Sequence, residues 1–153
     1  MAPLARDFLS KVLSLWGTPY IYGGKGRHGI DCSGVVTFAY HACGGPNWTL
    51  THGTGALWDE LEPVSEAEVL PAHLVFFIHP GAGATKQVDH VEVVLPFGLT
   101  IGARGGDPRC TTALEAARRS ACVKLGEWNK PVAYRRVVGF RKLPLDYSTA
   151  GLG

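Results

Sequence analysis

Cys32 stands where a glycine-rich loop runs into an apolar segment, Gly29-Ile30-Asp31-Cys32-Ser33-Gly34-Val35-Val36. The segment reads as a helix start, with the thiol on the first turn directly after an acidic capping residue. There the helix dipole and the unpaired backbone N–H groups both favour a thiolate, which is the reactive form of cysteine. A thiolate that attacks a carbonyl needs a general base beside it. His90 meets that need: it lies inside the apolar run Val88-Asp89-His90-Val91-Glu92-Val93-Val94, where a titratable ring calls for a partner. Side chains alternate along a strand, so His90, Glu92 and Val94 share one face. If His90 faces Cys32, Glu92 lies beside it. The chemistry such a pair supports is acyl transfer from an amide or ester.

The elements that must position these groups are legible from periodicity. Leu4, Phe8, Val12 and Leu15 recur at helical spacing, and Pro3, Gly17 and Pro19 bound an amphipathic helix over 3–16. Tyr20-Ile21-Tyr22 is a short extended piece before the loop Gly23-Gly24-Lys25-Gly26-Arg27-His28-Gly29. That loop has neither the Walker spacing nor a dinucleotide fingerprint, so it is read as a tight turn beside the cysteine. Lys25 and His28 are expected on the cleft rim. Residues 32–43 form the central helix, stopped by Gly44-Gly45-Pro46. A short helix follows near Gly55–Leu61. Strands are predicted over Leu74–Ile78, Val88–Leu95 and Leu99–Ala103, with the last two joined through Pro96-Phe97-Gly98. A helix over Thr111–Cys122 and a late strand over Val132–Arg141 complete the chain. Helices followed by a small antiparallel sheet make an α+β fold, one domain over 1–147 with 148–153 as a frayed tail.

Bulk properties narrow the function classes. The 153 residues are 46% apolar and 18% charged, enough for a proper core. A net charge of +2, with basic pairs dispersed, gives no footprint for nucleic acid. No stretch reaches transmembrane length, and Arg6, Asp7 and Lys11 break any signal-like apolar run near the N-terminus. Synthesis in the cytoplasm is therefore expected, with action on a cell wall if a phage particle or a secretion apparatus delivers the chain, and otherwise action in the cytoplasm on recycled muropeptides. Cys32, Cys43, Cys110 and Cys122 fit no Cys-x-x-Cys zinc pattern, and His41, His52 and His79 show no ligand spacing. No metal or other cofactor is expected. Cys110 and Cys122 could pair in an oxidising compartment. His73 is read as a surface residue.

Four segments in order, Gly17-Thr18-Pro19-Tyr20-Ile21-Tyr22-Gly23-Gly24, Asp31-Cys32-Ser33-Gly34, Pro71-Ala72-His73-Leu74-Val75-Phe76-Phe77 and Asp89-His90-Val91, resemble the NlpC-type family. These are papain-like cysteine peptidases that cut peptidoglycan stem peptides, and the likeness runs from about residue 10 to residue 106. The resemblance implies a papain-like fold in which the cysteine begins a helix packed on the sheet. It implies Cys32 as nucleophile, His90 as general base, and Tyr20 as the tyrosine that leans over the thiol. The Cys32 backbone N–H becomes an oxyanion donor. Asp31 and Ser33 match positions that bind the free amino group of L-Ala-γ-D-Glu, which points to a D-Glu-to-diamino acid endopeptidase. Asp31 is equally read as a helix cap, and Ser33 as a residue that satisfies backbone groups. Trp48, in the loop after the central helix, is expected to wall the cleft.

The family's third residue, which orients the histidine, falls on Gly102, which has no side chain. Glu92 stands in place of the family's usual glycine. It is read either as a substitute carboxylate or as an exposed strand residue, with Asp107 and Arg104 as further candidates. Two other functions share this scaffold: a catalytically impaired virion or wall-binding protein, and another thiol amidase or acyltransferase. The expected partner is a peptidoglycan stem peptide, with the chain itself a possible component of a virion or secretion system.

Overall fold

A computed structural model describes residues 1–83, 85–130 and 135–148. The first helix, α1 (Ala5–Leu13), buries Ala5, Phe8, Leu9 and Val12, one stripe at helical spacing. It is shorter than the sequence suggests. Leu4 bridges to Asp146 instead of joining the helix, and the chain leaves through Gly17 at φ +82°.

The glycine-rich loop folds as a tiny hairpin, β1 (Lys25–Gly26) and β2 (Gly29–Ile30). It leads directly into α2 (Cys32–Ala42), which is apolar nearly all round and buries Cys32 through Thr37, Ala39 and Tyr40. A helix of this kind belongs inside a domain. It packs on α1, on the hairpin and on the sheet. Gly34, on the first turn of α2, makes the approach to the loop possible, since a Cβ there would lie 2.5 Å from the Gly24 carbonyl oxygen. The expected tight turn beside the cysteine is what forms.

After α3 (Thr54–Glu60) come β3 (Glu62–Val64), β4 (Leu74–Ile78), β5 (His90–Val94) and β6 (Leu99–Arg104). Then follow α4 (Ala113–Arg119), β7 (Cys122–Glu127) and β8 (Arg136–Lys142). The six strands β3–β8 form one antiparallel sheet in the order β3-β8-β4-β5-β6-β7. Each central strand divides its side chains between two cores. Leu74, Phe76, Val91, Val93 and Ile101 join the helices, whereas Val75, Phe77, Val94 and Phe140 form a second cluster on the opposite face.

Strands β3 and β7 are absent from the sequence reading. The α4 helix ends early because Ser120 takes a left-handed conformation at φ 53°, which frees Cys122 to open β7 along β6. Val132, Ala133 and Tyr134 of the expected late strand lie outside the described residues, as do residues 149–153 of the expected tail. His73 is not on the surface. It is 3% exposed, its Nδ1 accepts the Leu70 N–H at 3.0 Å and its ring meets Tyr147. Burial pushes its pKa down to about 4, and Lys142 adds to the shift.

Candidate active site

Two element starts meet at the site: Cys32 opens α2 and His90 opens β5. Asp31 caps α2 by accepting the Gly34 N–H at 2.7 Å, so the sequence-predicted cap is real. The Cys32 thiol is hydrogen-bonded to His90, and its Sγ lies 3.4 Å from Thr54 Oγ1 on the first turn of α3. Burial by itself would push the thiol pKa up. The His90 hydrogen bond and positive charge reverse this, the Thr54 hydroxyl adds to them, and the net shift is downward.

On its other side, His90 Nε2 donates to Glu92 Oε2 at 2.7 Å, which leaves Nδ1 for the thiol. Glu92 is the substitute carboxylate and not an exposed residue; it is 1% exposed. Its Oε1 accepts the Thr100 hydroxyl at 2.5 Å, and its Oε2 also accepts Arg135 Nη1 at 2.9 Å and Arg104 Nε at 3.0 Å. Burial opposes its ionisation, but His90, Arg135 and Arg104 outweigh that and lower its pKa to about 2. The imidazole is shifted the other way. Burial disfavours its charge, yet its bonds to Cys32 and Glu92 raise its pKa to about 9.

Gly102 orients nothing. A Cβ there would lie 2.7 Å from Glu92 Cγ, so the glycine is the space into which the glutamate fits. The orienting group has moved from β6 to the neighbouring strand β5, two residues after the histidine it holds. Arg104 reaches the same carboxylate from the end of β6, and Asp107 is engaged by Arg109 and Arg119 instead.

The pair lies at the floor of a cleft with two arms. One arm, about 650 Å³, is lined by Tyr20, Lys25, Asp31, Ser33, Thr54 and Trp58 among others. The other, about 680 Å³, is lined by His79, Lys86, Arg104, Lys124 and Asp107 among others. Tyr20 and Cys32 border both. Burial and the nearby Cys32 and Asp31 charges push the Tyr20 pKa well up, so its phenol stays a donor. Lys25 is in the cleft as expected, whereas His28 is exposed and lines neither arm.

Trp48 does not wall this cleft. It stacks on His52 at 4.2 Å between ring centroids and borders a separate groove with Leu61, Leu143 and Tyr147. The loop after α2 carries it away, and Trp58 from α3 lines the cleft in its stead. Thr54, Thr100 and Arg135 are missed by the sequence reading. Thr54 and Trp58, one turn apart on α3, carry the only local hint, a shared helix face. Among the described residues no cluster of His, Cys, Asp or Glu has the makings of a metal site, and all four cysteines are free thiols.

The profile of the NlpC/P60 family matches residues 17–142, a span that includes Cys32, His90, Glu92 and the side chains that bond them. The chain belongs to the NlpC/P60 family. It is 28% identical over 88 residues to a probable endopeptidase p60 from Listeria grayi, a match that covers 58% of this chain and 16% of that protein. An NlpC/P60 family protein from Bacillus cereus superposes with a TM-score of 0.70 at 22% identity, over 94% of this chain and 41% of the other. RipD from Mycobacterium tuberculosis, described as a non-catalytic NlpC/p60 domain protein adapted to peptidoglycan binding, superposes with a TM-score of 0.59 at 15% identity, covering 91% and 96%. This NlpC/P60 domain therefore spans a minor part of the Listeria relative and under half of the Bacillus protein. The two solved structures establish the papain-like fold.

Two outcomes follow from the site's geometry. In wild type, Cys32 should alkylate with iodoacetamide faster than Cys43 at neutral pH, because burial pushes the Cys43 pKa up while that of Cys32 is lowered. Gly102→Ala should cost about 1–3 kcal/mol by overpacking and should slow Cys32 alkylation by moving Glu92 off His90. Unchanged stability and an unchanged Cys32 rate would mean that Glu92 is not held as described.

Proposed function

We propose that this chain is a cysteine peptidase that hydrolyses an amide bond in peptidoglycan stem peptides, with the bond between D-Glu and the diamino acid as the scissile one. The observation that carries the reading is the continuous buried chain Cys32–His90–Glu92 at the floor of an open cleft. A domain that only binds wall peptides has no need of a lowered thiol pKa beside a raised imidazole pKa. Such opposed shifts in one cleft mark acid–base and nucleophilic chemistry. The Listeria relative's description as a probable endopeptidase supports the same reaction class.

The mechanism follows from the groups present. The Cys32 thiolate attacks the amide carbonyl, and the carbon becomes tetrahedral. The Cys32 backbone N–H at the start of α2 is positioned to donate to the oxyanion, with the protonated Tyr20 hydroxyl as a second donor in the same cleft. His90, as imidazolium, gives its proton to the leaving amine. The amine departs and a thioester remains on Cys32. Water, deprotonated by the now neutral His90, then hydrolyses the thioester and restores the ion pair. Glu92 takes no proton in this cycle. Its two arginines hold it ionised, and its part is to fix the ring so that Nδ1 faces the sulfur.

Cys32→Ala should abolish the release of soluble peptides from purified peptidoglycan, read by mass spectrometry. A wild-type protein that releases nothing from any wall type or free stem peptide would overturn the hydrolase reading. The pH profile carries a second expectation. His90 must be protonated to expel the amine, so activity is available below about pH 9 and is lost as pH rises through that value. An alkaline limb near the ordinary histidine value of about 6.5 would contradict the site's electrostatics.

A further inference from the structure

The ammonium of Lys25, carried on β1, reaches into the cleft arm beside the nucleophile. Its Nζ lies 2.9 Å from Asp31 Oδ1, 3.1 Å from Asp31 Oδ2 and 3.1 Å from Ser33 Oγ. An ammonium has three N–H donors and here all three are engaged. The acceptors are saturated in turn. Asp31 Oδ1 also takes the Gly34 N–H and the Ser33 hydroxyl, and Asp31 Oδ2 takes the Gly23 N–H. Lys25, Asp31 and Ser33 line the same arm as Cys32, and Asp31 and Ser33 flank it in sequence.

Two acceptor side chains, from the residues before and after the nucleophile, therefore come together to hold a cation, and the chain has filled that seat with a cation of its own. A partly exposed ion pair adds little to stability. Its position, however, decides what the seat admits, because a second ammonium placed at Asp31 and Ser33 would meet a like charge and a carboxylate already engaged.

We propose that Lys25 is a specificity-determining residue. By occupying the cation seat formed by Asp31 and Ser33, it makes the cleft select peptides whose amino terminus on the acyl side is acylated, as in a stem still attached to its glycan. It disfavours peptides that present a free ammonium there. This rests on the peptidase reading above and reverses the expectation that Asp31 and Ser33 hold a free amino group of the substrate.

The test uses one stem tetrapeptide, L-Ala-γ-D-Glu-diaminopimelate-D-Ala, prepared with a free and with an N-acetylated amino terminus. Wild type should favour the acetylated form in kcat/KM by about tenfold or more, and Lys25→Met, which keeps the aliphatic stem, should narrow or reverse that ratio by a similar factor. Equal rates in wild type, or a ratio untouched by Lys25→Met, overturn the proposal. Calorimetry with Cys32→Ala and with the Cys32→Ala/Lys25→Met double variant makes the same comparison without turnover. If wild type cleaves neither peptide but Cys32→Ala prefers the acetylated one and the double variant does not, the peptidase reading fails while the role of Lys25 stands. Equal affinities, or no binding of either peptide, overturn the role of Lys25.

Discussion

The site depends on a carboxylate buried in the sheet. Glu92 is nearly inaccessible to water, and an ionised side chain there is costly unless its oxygens are fully matched. Four donors match it: Thr100, His90, Arg104 and Arg135. They come from β5, from both ends of β6 and from the residue just before β8, so the carboxylate fixes how these strands meet at the cleft. Its place is also set by an omission. Only a residue without a Cβ at position 102 leaves room for it. The pairing of a glutamate on β5 with a glycine on β6 is one structural unit.

From that unit the electrostatics of the nucleophile follow. Around the thiol, the hydrogen bond and charge of His90 and the Thr54 hydroxyl favour the thiolate against burial and the Asp31 carboxylate, while Arg104 and Arg135 act one step back, on Glu92. The arginines also share Oε2 with the imidazole, so Glu92 is a weak proton acceptor and a strong orienter. On the other side Asp31, paired with Lys25, opposes the thiolate, so the downward shift comes from His90 and Thr54.

The parts of this arrangement that sequence reveals are those with local causes. Cys32 at a capped helix start, the apolar run of α2, the strands β4, β5 and β6 and the face shared by His90 and Glu92 are all written in spacing and period. Glu92 stays ambiguous in sequence because burial depends on what covers a strand face, and Arg135 lies 43 residues away. Gly102 looks like a missing side chain until the neighbouring strand is seen to fill its place. Trp58 takes the place expected of Trp48 for the same reason: the path of the loop after α2 is a tertiary property, not a local one. The edge strand β3 is too short and too polar to stand out by period, and β7 is a mixed polar and apolar run whose first residue falls in the expected helix; both form because β8 and β6 offer unpaired edges.

The central claim is that Glu92, through Nε2, holds His90 as an imidazolium facing the Cys32 thiolate. It is tested most directly by following the His90 ring nitrogens across pH by NMR in the resting protein. The account predicts that both nitrogens carry protons at neutral pH, that the ring loses its charge only near pH 9, and that Nε2 keeps its proton when it does so. A ring that is neutral at pH 7, or that titrates near the ordinary value of about 6.5, would contradict it.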